Sequence, residues 1–173
     1  TPIDAKGLLL AAFEDPNPVL FFEHKGLYRS VKEEVPIQSY IIEIGKAKVD
    51  SWGDDILFIS YGMGVHWCKE VTEELALKAT LLDLRTLVPW DKNAVADAVK
   101  VTGKVMIVHE DTEQGGIGGE IAAWISEYCF TALDAPITRV CSLDTPIPFN
   151  ADLEANFMAK SRIKEKVIAL LKW

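Results

Sequence analysis

Short apolar runs alternate with helical segments from residue 41 onward, and this alternation restricts the fold more than any other feature. The runs Ile56–Tyr61, Leu81–Leu84, Val105–His109 and Ile137–Cys141 contain few polar residues, as expected of strands that are buried on both faces. Segments with helical spacing separate these runs. Strand–helix–strand units place their strands in parallel, so the pattern predicts a mostly parallel sheet with helices on both faces.

The first strand of this region has a different connection. Apolar residues at Ile42, Ile44, Ala47 and Val49 suggest an edge strand, and only a short turn separates it from the next run. A parallel neighbour would need a longer crossover connection. We therefore expect an α/β fold with five strands, in which the first strand is antiparallel to the others.

The beginning of the chain does not fit this pattern. We predict a helix over Asp4–Glu14, capped by Asp4, and a buried strand over Val19–Glu23. One helix and one strand do not make a core. We therefore predict that residues 1–27 are the tail end of another domain, residues 28–40 are a linker, and residues 41–173 are a separate domain.

Composition excludes several classes of protein. The formal net charge is −8, which disfavours a nucleic-acid partner. No apolar run approaches the ~20 residues that a membrane helix needs, so no membrane partner is expected. The three cysteines follow no disulfide or metal-binding spacing, and no secretory signal is visible. Together these features predict a cytoplasmic location.

Residue types alone give weak signals for chemistry. The glycine loop 115–119 joins a strand to a helix, where it could hold a phosphate or simply pack tightly; Gly62-Met63-Gly64 raises the same question. His109 ends a buried strand and is either a general base or a structural contact. Tight packing and a structural contact are the favoured interpretations.

Several segments, in one order, resemble a known family. They are Glu14–Pro18, Phe21–Arg29, Asp83–Asp91, Leu133–Pro136 and Asp144–Phe149. Together they resemble the second half of the beta subunit of thiamine-diphosphate-dependent 2-oxo acid dehydrogenases. The resemblance implies a transketolase C-terminal-type domain: a three-layer α/β/α fold with a five-stranded mixed, mostly parallel sheet. Residues 1–27 would end the pyrimidine-binding domain.

The resemblance also implies an activity for the parent protein, namely oxidative decarboxylation of a 2-oxo acid and transfer of the acyl group to lipoyl-lysine. Glu33–Ile37, Pro89–Asp91 and Arg139–Cys141 are closer to branched-chain (2-oxoisovalerate) members than to pyruvate members. The pyruvate dehydrogenase beta subunit is the first alternative. Transketolase-like enzymes and a free-standing flavodoxin-like or nucleotide-binding module are further alternatives.

The family's cofactor is thiamine diphosphate with magnesium, and its catalytic and cofactor-binding residues lie in the half that has no counterpart here. We therefore expect no catalytic or cofactor-binding residue and no bound cofactor in this chain, and no activity from it alone. The resemblance also implies a structural potassium ion, held largely by carbonyls at Ala12, Asp15 and Asn17.

The partners implied are an alpha subunit or alpha-like region, a second beta subunit, and the binding domain of the dihydrolipoyl acyltransferase core. Asp134 and the carboxylate of Trp173 match positions that contact basic residues of that domain. A purely structural role for Asp134, opening the turn before Pro136, is the alternative.

Overall fold

Five strands and seven α-helices form the regular structure of residues 1–173, which the computed structural model describes in full. The strands are β1 (Lys48–Ser51), β2 (Ile56–Ser60), β3 (Ala79–Asp83), β4 (Val105–Thr112) and β5 (Thr138–Ser142). The helices are α1 (Pro2–Glu14), α2 (Leu27–Ser30), α3 (Met63–Glu74), α4 (Lys92–Thr102), α5 (Gly118–Tyr128), α6 (Ala151–Phe157) and α7 (Lys160–Leu170). A 3-10 turn, Phe130–Ala132, follows α5.

The strands form one mixed sheet in the order β1-β3-β2-β4-β5. β2 pairs in parallel with both β3 and β4, and β4 pairs in parallel with β5. β1 is antiparallel to β3 at the edge. The predicted mixed, mostly parallel sheet with an antiparallel first strand is confirmed.

Two apolar layers cover the two faces of the sheet. Ile56 and Phe58 of β2 face α3 and α7, whereas Leu57 and Ile59 face α4 and α5. All four side chains are fully buried. Successive strand residues point to opposite faces, so a continuous apolar run is what a sheet covered on both sides requires. The predicted three-layer α/β/α architecture is confirmed.

A topological switch point lies between β2 and β4, because β3 is added on one side of β2 and the chain then crosses over to add β4 on the other. The Ser60 hydroxyl donates to the Val108 carbonyl (2.8 Å) across this junction. Gly64 packs here so closely that a Cβ atom would lie 2.4 Å from the Ser60 oxygen. The loop at Gly62-Met63-Gly64 is therefore a tight turn, as favoured above.

The start of the chain differs from the prediction in two ways. α1 begins at Pro2 and is capped by the Thr1 hydroxyl, whereas Asp4 is buried against Arg85. Residues 19–23 form no strand, and Leu20 and Phe22 are 83% and 87% exposed. Both expectations were wrong. An apolar run becomes a strand only where a neighbouring strand accepts its backbone hydrogen bonds, and none lies beside it.

Residues 28–47 contain one short helix, α2, and otherwise irregular backbone. Part of this segment contacts α1: the Tyr40 hydroxyl donates to the Ile3 carbonyl (2.8 Å), and the Ile42 amide donates to the Gly7 carbonyl (3.1 Å). The division into 1–27, 28–40 and 41–173 remains a prediction.

Candidate functional site

Asp134 lies close to the last residues of the chain at the amino edge of the sheet, which is the end where the parallel strands begin. The Asp134 amide donates to the Gly103 carbonyl (2.8 Å) in the turn between α4 and β4. The next residue, Lys104, donates from its ammonium to the Leu171 carbonyl (3.3 Å). Asp134 and the C-terminal segment therefore both contact the same two-residue turn, Gly103–Lys104.

The Asp134 carboxylate is open to solvent. Gly103 has a left-handed backbone (φ +63°) that ends α4, and the Asp134 side chain occupies the space that a Cβ atom would fill there. Asp134 is exposed and takes part in none of the chain's nine ion pairs. Trp173 is 72% exposed. This edge can therefore offer uncompensated negative charge to a basic partner.

The loop after α1 contains the three residues matched to a potassium site. The residue four positions after Ala12 is Pro16, which has no N–H, so the Ala12 carbonyl has no helical donor. The Asp15 carboxylate accepts from the backbone amide (2.8 Å) and the side-chain amide (3.0 Å) of Asn17. Oxygen atoms suit a hard cation. No cluster of three or more His, Cys, Asp or Glu residues positioned to hold a metal occurs in the chain.

His109 is fully buried beneath the glycine loop. Gly116 and Gly118 lie against its ring, where added Cβ atoms would come within 2.7 Å and 2.4 Å of ring atoms. Nδ1 lies 3.2 Å from the Asp111 carbonyl, and Nε2 lies 3.4 Å from the Cys141 sulfur. A ring without solvent access cannot meet a free substrate. Of the two interpretations, the structure supports the structural one, and it confirms tight packing for the loop.

Burial also controls the titration of this cluster. It lowers the pKa of His109, which favours the neutral imidazole. It raises the pKa of Cys141 to about 11, so this thiol is not activated as a nucleophile. Burial and the nearby Asp111 and Glu110 carboxylates raise the pKa of Tyr61, which stacks on His109, to about 12. The Cys141 thiol and the Tyr61 hydroxyl therefore stay protonated near neutral pH.

Two contacts near the carboxyl edge were missed by sequence reasoning. His24 Nε2 lies 3.1 Å from a Glu110 carboxylate oxygen, and Arg85 pairs with Asp4. Both join residues that are more than 80 positions apart, and neither pair belongs to a local pattern that could reveal it. Together they attach the N-terminal segment to the ends of β3 and β4.

Comparison with known proteins identifies the family of the domain formed by the sheet and its helices. The family described as "Transketolase, C-terminal domain" matches residues 45–162. The solved structure of a split-gene transketolase, titled as an inactive beta4 tetramer, superposes with a TM-score of 0.65 at 21% identity. It covers 76% of this chain and 44% of that chain, and shows that the fold is shared. No helix is both long and apolar enough to cross a membrane.

Curated relatives extend the similarity. The 2-oxoisovalerate dehydrogenase subunit beta of Bacillus subtilis is 50% identical over 162 residues, covering 91% of this chain and 50% of that protein. The pyruvate dehydrogenase E1 component subunit beta of the same organism is 42% identical, covering 87% of this chain and 47% of that protein. The chain spans about half the length of the curated relatives it matches.

Proposed function

Because the chain belongs to the transketolase C-terminal domain family, we propose that it is the carboxyl-terminal part of the beta subunit of a 2-oxo acid dehydrogenase. The observation that carries this proposal is the 50% identity to a 2-oxoisovalerate dehydrogenase beta subunit over 91% of the chain. The family alone would also fit a transketolase. The high identity to dehydrogenase subunits over nearly the whole chain favours the dehydrogenase.

The whole protein would decarboxylate a branched-chain 2-oxo acid and transfer the acyl group to lipoyl-lysine of an acyltransferase. Thiamine diphosphate with magnesium would supply the chemistry that stabilises the carbanion left by decarboxylation. Three 2-oxoisovalerate-type relatives are 46–50% identical, whereas three pyruvate-type relatives are 39–42% identical. This difference supports the branched-chain substrate, and pyruvate is the second candidate.

The residues of this chain would form contacts between subunits rather than take part in catalysis. We expect none of them to be a cofactor-binding or catalytic residue, and the burial of His109 at the carboxyl edge of the sheet supports this expectation. We expect contacts with an alpha subunit or alpha-like region and with a second beta subunit, and no activity from this chain alone. Three unpaired cysteines support a reducing, cytoplasmic compartment.

The exposed amino edge would dock the binding domain of the acyltransferase core. The open carboxylate of Asp134 and the carboxylate of Trp173 would pair with basic residues of that domain. The contacts of Asp134 and of the C-terminal segment with the same Gly103–Lys104 turn support a single docking surface. Charge pairs of this kind direct association and orientation more than they add affinity.

The loop after α1 would hold a structural potassium ion through oxygens of Ala12, Asp15 and Asn17. The Ala12 carbonyl without a helical donor supports this assignment. The ion would offset the aligned carbonyl dipoles at the end of α1 and stiffen the loop.

A substrate comparison tests the proposal. The full-length protein, assembled with its alpha subunit, thiamine diphosphate and Mg²⁺, is assayed for lipoyl-domain acylation with 2-oxoisovalerate and with pyruvate. We expect a higher kcat/KM for 2-oxoisovalerate. A preference for pyruvate would show that pyruvate, rather than 2-oxoisovalerate, is the substrate. Turnover of neither would contradict the dehydrogenase function.

A further inference from the structure

An open pocket of about 500 Å³ lies at the amino edge of the sheet, and neither the fold nor the docking residues above account for it. Trp52, Leu77 and Val101 supply its apolar walls, and Asp54 and Thr72 also line it. Trp52 and Val101 are 63% and 52% exposed. Exposed tryptophan beside a concave apolar surface is the composition that dominates binding energy at protein interfaces.

The turn that carries Trp52 is held firmly in place. Gly53 packs directly on the backbone of Lys78, where an added Cβ atom would lie 2.2 Å from the carbonyl carbon. The Gly53 amide donates to the Thr80 hydroxyl (3.1 Å), which in turn donates to the Gly53 carbonyl (2.6 Å). The indole is therefore presented from a fixed backbone, which lowers the entropy lost when a partner binds.

The pocket is continuous with the proposed docking surface. Val101 lines the pocket, and two residues later Gly103 contacts Asp134. Lys104 then reaches the C-terminal segment through Leu171. The segment 101–104 thus connects an apolar pocket to two exposed carboxylates. Interfaces have this arrangement, with apolar anchors in the centre and charged groups at the rim.

We propose that the pocket between Trp52 and Val101 receives an apolar side chain of the acyltransferase binding domain that Asp134 contacts. This inference rests on the docking role proposed above. It assigns to docking an apolar anchor as well as the charge pairs. Asp54 and Lys78 both line the pocket, so its own charges offset each other, and the negative charge that a basic partner would meet comes from Asp134.

The test measures binding of the isolated binding domain to the full-length protein assembled with its alpha subunit, by calorimetry at low and high salt. Trp52→Ala removes the indole, and Val101→Arg fills the pocket from an exposed helix position. Val88→Arg is the matched control, because Val88 is 89% exposed in the loop after β3, at the opposite edge of the sheet. Asp134→Asn removes the carboxylate charge and so measures what the charge pair contributes to binding.

We expect Trp52→Ala and Val101→Arg each to weaken binding by about tenfold or more, with the salt dependence retained. Val88→Arg should bind like the unmodified protein, and Asp134→Asn should lose most of the salt dependence. If Asp134→Asn weakens binding and both pocket variants bind normally, the pocket inference is wrong and the docking role stands. If the unmodified protein does not bind at low salt, the docking role and the pocket inference are both wrong.

Sedimentation of the same proteins without the binding domain tests whether another copy of the chain occupies the pocket instead. If Val101→Arg dissociates the assembly and Val88→Arg does not, the pocket receives another copy of the chain and the proposal is overturned. An unchanged assembly in both variants supports the acyltransferase domain as the occupant.

Discussion

His109 explains the glycine loop above it. The ring fills the space under Gly116 and Gly118, so glycine is needed there for close packing rather than for phosphate binding. The sequence placed His109 at the carboxyl end of a strand but could not show that the following loop folds back over it. That contact depends on the tertiary position of the loop, which no local pattern encodes.

Two neighbouring glycines give a sharp test of this packing. Gly118→Ala would place a Cβ atom 2.4 Å from His109 Nε2, whereas the nearest atom to a Cβ at Gly119 is the flexible end of Arg139, at 3.6 Å. We expect Gly118→Ala to lower the free energy of unfolding by about 1–3 kcal/mol. Gly119→Ala should be neutral or stabilising by up to about 1 kcal/mol, since alanine favours a helix. Urea unfolding of both variants measures this, and equal stabilities would contradict it.

The lowered pKa of His109 predicts a pH dependence of stability. The unfolded protein binds a proton near pH ~6.5, whereas the folded protein binds it only at lower pH. The stability that neutral His109 contributes is therefore present above that pH and is lost as the pH falls below it. We expect urea midpoints from about pH 7.5 to about pH 5 to fall less steeply in His109→Gln.

His66 is the control for this pH dependence. Burial lowers its pKa too, and the nearby Lys69 acts in the same direction. A His66→Gln variant still contains His109 and should keep that part of the slope. An unchanged slope in His109→Gln would show that His109 is not responsible.

At the level of elements, the parallel strands and their helices could be predicted because each carries its own pattern. Ile56–Ile59 is apolar throughout, and Asp91 caps α4 through the Ala94 amide (3.0 Å) while Gly103 ends it. The run at 19–23 has the same apolar character but lacks a strand partner, so its conformation follows from neighbours rather than from its own residues.

The Asp4–Arg85 ion pair joins helix α1 to the loop after β3. The Asp4 and Arg85 side chains are 6% and 16% exposed. Burial raises the pKa of Asp4, but the Thr1 hydroxyl and the Arg85 guanidinium outweigh it, and the net pKa is lowered. The carboxylate therefore stays charged and requires its partner.

Removing Arg85 should release α1. We expect Arg85→Met to destabilise the packing of α1 by about 1–3 kcal/mol, because the buried Asp4 carboxylate loses its guanidinium partner and keeps only the Thr1 groups. Hydrogen exchange of the α1 amides is the measurement, and it should accelerate. The double variant Asp4→Asn/Arg85→Met should recover part of the loss. Unchanged exchange in Arg85→Met would mean that the other contacts of α1, including its hydrogen bonds to Tyr40 and Ile42, hold it without the ion pair.

At the scale of the whole molecule, the chain exposes several large apolar side chains that a stable monomer would bury. Phe13, Leu20 and Phe22 of the N-terminal segment are each more than 80% exposed, and so is Phe149 in the loop before α6. Clusters of this kind mark surfaces that other chains cover. The sequence suggested this through a helix and an apolar run without a core of their own.

We therefore expect the 173-residue chain to self-associate. Sedimentation velocity at increasing concentration should give a mass above 19.2 kDa. The double variant Leu20→Ser/Phe22→Ser should shift the distribution toward that monomer mass, whereas Tyr128→Ser, an exposed aromatic residue on α5, should not. A strictly monomeric profile of the unmodified chain would contradict this expectation.

The docking role proposed for Asp134, which would join a 2-oxo acid dehydrogenase subunit to its acyltransferase core, can be tested directly. The most direct measurement is co-sedimentation of the assembled full-length protein with the intact core, in the unmodified form and as Asp134→Asn. Asp152→Asn, at an exposed carboxylate on α6, is the matched control.

We predict that the unmodified protein and Asp152→Asn co-sediment with the core at low salt and separate from it at high salt. Asp134→Asn should leave a clearly larger share of the protein in the supernatant at low salt, with little further change at high salt. Co-sedimentation of Asp134→Asn to the same extent as the unmodified protein would contradict the account, because the exposed carboxylate would then have no part in docking.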